Sequence, residues 1–393
     1  MLRPSDTHVL ERNSMKVSKT IKIVVAALAV AAFAAQSAFA SGVTIQAGGS
    51  SFDAPILTAC KVAWQNSTGN TFTYNSTSSG TGQSNEDAGI FDANFTDSGY
   101  VPKVSSVINI PLVMAPIAVI YNLPGKKDLY LSEKTLSDIF AGKVTKWNDA
   151  EIAADNNQVI HSVVYRKNAD GSVKKDKTGA PVVLHTVTTH RYYTLPNQTI
   201  HLVVRSDASG TTVNFVTLFT KTNSDVWTKS ANKTFSNTFP GTFNGIGNIG
   251  RIQAYASSTG VASGLTATPY SIGYAETSYA TGKLRTAFLG NANGDFAAPS
   301  AANTSAFVAG STINSAGIYQ FDYATKAPGA YILGIVSYAI VDTAKSGANA
   351  AAMTSFLKYV ASPACANSAT AYAAEGGPVA AYVATMLAKL PTK

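Results

Sequence analysis

Three stretches of the sequence share one local design: an extended run ends, small hydroxyl residues follow, and a helix begins. They are Gly49-Ser50-Ser51-Phe52, Ser78-Ser79-Gly80 and Ser209-Gly210-Thr211. Helix N-termini leave backbone N–H groups unpaired and carry the positive end of the helix dipole, so each stretch is suited to hold an anion. Serine and threonine hydroxyls add donors, although the same residues cap helices in most proteins for structural reasons alone. Arg205, four residues before Ser209, and Asp97 in Phe95-Thr96-Asp97-Ser98 sharpen the pattern. A guanidinium offers a planar fork of donors that fits an oxyanion. A carboxylate repels an anion unless the anion carries a proton to donate, and then the pair forms a charge-assisted hydrogen bond.

Signs of catalysis are weaker. The sequence has no HExxH, no GxSxG nucleophile elbow and no GxxxxGK[ST] phosphate loop. His161, His185, His190 and His201 lie in or beside one polar stretch, where His185 and His190 suggest a metal pair. That stretch reads as strand, and a spacing of five puts the two rings on opposite faces. They read as surface histidines.

Strand-like and helix-like runs alternate along the chain, which argues for an α/β architecture. Val43–Ala47 reads as a strand leading into Gly48-Gly49. Asp53 opens a helix with apolar residues at helical spacing from Ile56 to Trp64. Thr71–Tyr74, residues 110–122 and Ile200–Val204 read as strands, and Tyr331–Val341 as a long apolar one. Ser132 is a good cap for a helix through Phe140, with Gly142 as its stop. A helix runs from the Ser209 stretch to about Thr222, and further helices fall near 349–361 and 378–389. Residues 151–194 read as an inserted β-excursion that turns at Asp170-Gly171. Residues 291–316, rich in Ala, Ser, Asn and Gly, read as a surface connection.

The N-terminus has its own signature. Lys16, Lys19 and Lys22 precede an apolar stretch from Ile23 to Ala35, and Ala38-Phe39-Ala40 supplies the small residues of a cleavage box. The apolar run is short for a membrane span, which needs about 20 residues. Residues 1–40 therefore read as an extension plus an export signal cleaved near Ala40/Ser41. The whole chain of 393 residues is 46% hydrophobic with a formal charge of +8. Without residues 1–40, 25 basic residues face 20 acidic ones. This mild excess suits a protein that meets anions, and no basic stripe with interleaved aromatics marks a nucleic-acid surface. Two cysteines exclude a disulfide-built scaffold, and the apolar content excludes wholesale disorder.

Taken in order, AlaGlyGlySerSerPheAspAlaPro at 47–55, SerSerGly at 78–80, AspAlaAsnPheThrAsp at 92–97 and ArgSerAspAlaSerGlyThr at 205–211 resemble the ligand loops of the phosphate-binding proteins of ABC-type importers. SerAspIlePheAlaGlyLys at 137–143, Trp147 and SerIleGlyTyrAlaGlu at 271–276 support the likeness, which spans most of 43–285 and, more loosely, 331–390. The resemblance implies a two-lobed α/β periplasmic-binding fold of type II, with the ligand in a cleft between lobes joined by crossing strands. It places one lobe at 41–113 and 331–393, and the other at 114–330 with the insert at 151–194. The crossings fall near Pro111–Ala115 and Tyr331.

Carried over by position, Ser51, the backbone of Phe52, and Ser78 donate to phosphate. Asp97 accepts the ligand's proton, Arg205 supplies the charged pair, and Ser209, Gly210 and Thr211 complete the cage. Asp207 orients Arg205. Ser51 stands where threonine is usual, Asp53 where proline is usual, and Ala208 where glycine is usual. At a helix N-terminus Asp53 is electrostatically at home. The resemblance also puts Cys60 and Cys365 in one lobe, where an oxidising compartment favours a disulfide. It implies a monomer in the periplasm, or outside the cell, that binds phosphate without a cofactor or turnover and delivers it to membrane permease subunits. A scavenger without a permease, a binder of another tetrahedral oxyanion and, further off, a phosphatase are the alternatives.

Overall fold

The extended runs assemble into a ten-stranded sheet in the computed structural model, which describes residues 42–125, 128–366, 373–374 and 378–392. The export signal at 1–40 lies outside the described residues. Strands β1 (Thr44–Ser50), β2 (Thr71–Thr77), β3 (Ala93–Thr96), β4 (Val107–Asn122), β5 (His201–Arg205), β6 (Ile252–Tyr255), β7 (Ser271–Glu276) and β8 (Gly334–Asp342) form its main path. Their order is β2-β1-β3-β8-β4-β7-β5-β6, and the short strands Arg285–Thr286 and Ala373–Ala374 pair beside β4.

The sheet has two halves that share β4. β1 pairs in parallel with β2 and β3 on one side, and β5 pairs in parallel with β6 and β7 on the other. β4 runs antiparallel to both neighbours, lying along β8 as far as Pro116 and along β7 from Ile117 onward. This single strand therefore passes from one half to the other. Its sequence, VINIPLVMAPIAVIYN, is apolar nearly throughout, as a strand covered on both faces requires. β8 pairs with the first part of β4 and carries a register shift between Ser337 and Tyr338.

Helices cover the sheet, and some of them connect its parallel strands. They are α1 (Ala54–Thr68), α2 (Ser79–Asp87), α3 (Glu133–Ala141), α4 (Gly210–Thr222), α5 (Ser257–Ala267) and α6 (Ala348–Val360). α3 has the boundaries that its residues dictate: the Ser132 side chain accepts from the Thr135 N–H, and Gly142 ends the helix in the left-handed conformation. An aromatic cluster of Phe140, Phe215, Phe219, Trp227, Phe235 and Tyr274 fixes α4 on its half of the sheet, with Phe215 stacked on Tyr274 at 4.2 Å. Such packing keeps the α4 N-terminus from drifting.

Two regions depart from simple expectation. Residues 301–308 form a helix, Ala301–Val308, packed on β4 and β8, with Thr304 and Phe307 fully buried, so the stretch 291–316 is not merely surface connection. Small residues let this helix sit close to the sheet: a Cβ on Gly334 would lie 2.8 Å from the Phe307 ring. The insert starts later than residue 151, because Ala150–Asn156 is a short helix capped by Asp149 with Ile152 buried. The hairpin that follows, Gln158–Tyr165 with Val183–Arg191, has strands that pair with each other apart from the main sheet. Its outer part folds back through bridges Lys167–Val173 and Lys175–Pro181, so it turns at Asp170-Gly171 and again near Gly179. His185 and His190 stand opposite Val164 and Val159. Among the described residues no cluster suited to a metal ion occurs.

Cys60 on α1 is joined to Cys365 of the short helix Pro363–Ala366, with Cα atoms 5.0 Å apart and both residues fully buried. No helix among the described residues is long and apolar enough to cross a membrane.

Candidate functional site

The carboxyl ends of β1, β2 and β3 in one half, and of β5 and β6 in the other, lead into loops that face one another. In open α/β sheets ligands bind at such strand ends. β1 reaches the site through Gly49, whose φ is +128° and where a Cβ would lie 2.1 Å from the Phe95 carbonyl oxygen. Only glycine allows β1 and β3 to come this close before the chain turns through Ser51, Phe52 and Asp53 into α1. Gly82 does the same for α2, since a Cβ there would lie 2.4 Å from that carbonyl.

Asp97 sits at the centre and is 1% exposed. Its Oδ1 accepts from the Ser79 hydroxyl, and its Oδ2 accepts from Thr211 Oγ1 at 2.7 Å. One donor comes from each half, so the carboxylate spans the cleft. The Asn214 amide donates to the Asp97 carbonyl from α4. Arg205, at the end of β5, is held by Asp207 through two parallel bonds, Nε to Oδ1 and Nη2 to Oδ2, both 2.6 Å. This fork fixes the guanidinium plane and leaves Nη1 directed at Ser258 Oγ, 3.4 Å away. Ser209 caps α4 by accepting from the Thr212 N–H, and Thr212 Oγ1 meets the buried Tyr274 hydroxyl at 2.8 Å. The α4 N-terminus, with Gly210 and Thr211 buried, thus faces Asp97.

The first loop also reaches across. Ser51 Oγ accepts from the Ser258 N–H at 2.9 Å, and the Tyr279 hydroxyl donates to the Ser51 carbonyl at 3.0 Å. Gly80 N–H donates to the Ala208 carbonyl at 2.9 Å, and Lys233 Nζ donates to Gln83 Oε1. The halves are therefore closed on each other. A cavity of about 370 Å³ opens beside Asp97, bordered by Thr217, Lys221, Lys233, Phe321 and Tyr323. Burial lowers the Lys233 pKa, and the Asp97 charge offsets part of that.

Ser51, Asp97, Arg205, Ser209, Gly210 and Thr211 are thus brought together, with Asp207 behind Arg205. Ser78 takes a different part. Its side chain accepts from the Thr81 N–H as the α2 cap, while Ser79 turns its hydroxyl to Asp97. The Phe52 N–H donates to Ser50 Oγ at 3.1 Å. The sequence reading chose Ser78 over its neighbour Ser79, and it missed Ser258 and Asn214. Ser258 had a signal: the strand ending at Tyr255 is followed by Ser257-Ser258 and a helix, a fourth copy of the same local design. Asn214 had none, because its role depends on where α4 lies against Asp97.

A family model described as a PBP superfamily domain matches residues 34–364. Phosphate-binding protein PstS 3 of Mycobacterium tuberculosis (strain ATCC 25618 / H37Rv) is 31% identical over 320 residues, covering 76% of this chain and 73% of that protein. Phosphate-binding protein PstS of Pasteurella multocida is 30% identical over 279 residues, covering 70% and 68%. Among solved structures, a high affinity periplasmic phosphate-binding protein (PfluDING) bound with phosphate matches with a TM-score of 0.59 at 18% identity, covering 88% of this chain and 93% of that one. That last likeness is one of fold. Matched by that family model over most of its length and about 30% identical to these relatives, the chain belongs to the PBP superfamily and, within it, to the family of PstS phosphate-binding proteins.

Proposed function

We propose that the protein binds inorganic phosphate in the cleft between its halves and hands it to the permease of an ABC importer. One observation carries this reading: a buried carboxylate, Asp97, accepts hydroxyl donors from the helix starts of both halves, while Asp207 fixes the Arg205 guanidinium at the end of β5. Arg205 and the N-termini of α1, α2 and α4 attract any tetrahedral anion. Asp97 selects one that still carries a proton, as phosphate does at neutral pH and sulfate does not. The proposed binding set is Ser51, the Phe52 backbone, Ser79, Asp97, Arg205, Ser209, Gly210 and Thr211. Ser78 acts in it as the cap that aims α2.

The lobes are proposed as 43–116 with the chain from about 331 onward, and 117–330, since β4 changes partner after Pro116. Opening about this strand admits the ion, and closure desolvates it. The role is binding and delivery without turnover, by a monomer exported to the periplasm. Calorimetric titration of the ligand-stripped protein with phosphate, arsenate and sulfate is the test. Binding of the first two with sulfate excluded is the expected result, and sulfate bound as tightly as phosphate overturns the reading.

A further inference from the structure

A second acidic residue lies against the site, and the binding scheme leaves it unused. Asp53 is 1% exposed, and neither of its carboxylate oxygens has a hydrogen-bond partner. It stands at the N-cap of α1, where an aspartate ordinarily accepts from the first backbone N–H groups of the helix. Here it makes no such cap bond, and Pro55 follows within the first turn. Its place at the helix start therefore brings it no cap bond.

We propose that Asp53 is a second carboxyl of the anion site, which enters the closed cleft as the neutral acid, so that loading the cleft takes up one proton. This inference rests on the phosphate-binding reading. Asp53 belongs to the loop that places Ser51, and the other half covers that loop through Ser258 and Tyr279. Opening the halves uncovers the loop and gives the carboxyl back to water, where it ionises. Among the described residues no ion pair reaches its carboxylate in the closed state. Asp97 faces it from the end of β3 as a like charge, Tyr74 approaches from β2 and Tyr279 from the other half. Ser337, at the irregularity in β8, comes near without a well-formed bond. Arg205 is committed to Asp207, and Lys233 to Gln83 on the Asp97 side.

Burial, then the Asp97 charge, push the Asp53 pKa well above the usual carboxylate range, and Ser337 offsets only part of that rise. Two neighbouring carboxyl groups thus divide their roles. Asp97 accepts hydroxyl donors from both halves, and Asp53, with only Ser337 near it, keeps its proton. The sign follows directly. The closed state binds the proton more tightly than the open one. Asp53 therefore does not oppose closure at low pH, and opposes it increasingly as pH rises from the ordinary carboxylate range through the raised pKa.

The test is phosphate titration of the wild-type protein and of Asp53→Asn at pH 7, in buffers of different ionisation heat, to count protons. The phosphate ion's own protonation contributes equally to both. Wild type is expected to take up about one proton more than the variant, and its Kd to rise with pH by up to about tenfold per unit relative to the variant. Phosphate binding with equal proton uptake in both overturns this inference alone. Absence of phosphate binding in both overturns the phosphate reading and this inference with it. A measurement on the wild-type chain stands independently of how the variant folds. With 13C-labelled aspartate, a protonated carboxyl C=O band should appear in the infrared spectrum on phosphate addition at pH 7, and no new band overturns the proposal.

Discussion

Ser78 and Ser79 are adjacent and chemically identical, yet the structure gives them separable tasks. Ser78→Ala removes an N-cap, which costs about 1 kcal/mol of stability. It should lower the denaturation midpoint while changing phosphate affinity little beyond that. Ser79→Ala removes a hydroxyl bonded to a charged group inside the closed cleft, a loss of about 1.5–3 kcal/mol, so Kd should rise at least tenfold by calorimetry. The reverse ranking would restore Ser78 to the direct binding set. Asp97→Asn should shrink the preference for phosphate over sulfate by at least a hundredfold, because an amide can turn its donor toward an unprotonated oxyanion. Sites built around one hydrogen bond reject ligands lacking the partner by about 10⁴–10⁵. Unchanged selectivity in that variant would remove Asp97 as the discriminator. Sequence made Asp97, Arg205 and the Ser209 stretch legible, because type and local spacing already define their chemistry. It left Ser78 and Ser79 unresolved, since which of two neighbours caps a helix depends on one backbone angle at its start.

Elements reach the site by close approach more than by side-chain bulk. Gly80 shows this best: a Cβ there would lie 2.5 Å from the Cβ of Ala208 in the opposite half. Gly80→Ala should leave each half folded, with the thermal midpoint of the ligand-free protein within a few degrees of wild type. It should still weaken phosphate binding at least tenfold by holding the cleft ajar, as calorimetry would read. The insert behaves in the opposite manner. Its strands pair with each other, and its described side chains from 163 to 190 are mostly exposed, Val183 at 51% among them, as is Tyr192 just beyond at 71%. Replacing residues 160–190 with a short Gly/Ser link should change the phosphate Kd by less than about threefold, and a loss beyond tenfold would show that the insert shapes the site. The strands and helices were legible because periodicity and caps are local, as at Ser132 and Gly142. The helix Ala301–Val308 was not, since its alanines, serine, asparagine and threonine suit a surface loop until the sheet beneath makes close packing worthwhile.

At the scale of the whole molecule, β4 leads the chain out of the first half and β8 lies back along its first part, so the chain between them is one long excursion of the polypeptide. That arrangement, and the closing of the cleft, belong to contacts between residues far apart in sequence, and only the family resemblance hinted at them. The bond between Cys60 and Cys365 encloses the excursion, with a sequence separation of 305. Losing so large a closed loop should cost up to about 5 kcal/mol in the chain-entropy view, read as a lower denaturant midpoint in a Cys60→Ala/Cys365→Ala variant. A further consequence is topological. Lys174, Lys175 and Lys177 lie on the exposed tip of the insert, inside the enclosed segment, where a protease specific for basic residues has its easiest access. A single cut there opens the backbone without releasing either piece. The nicked protein should run as one band on a denaturing gel without reductant and as two with it, and it should keep its phosphate through the cut.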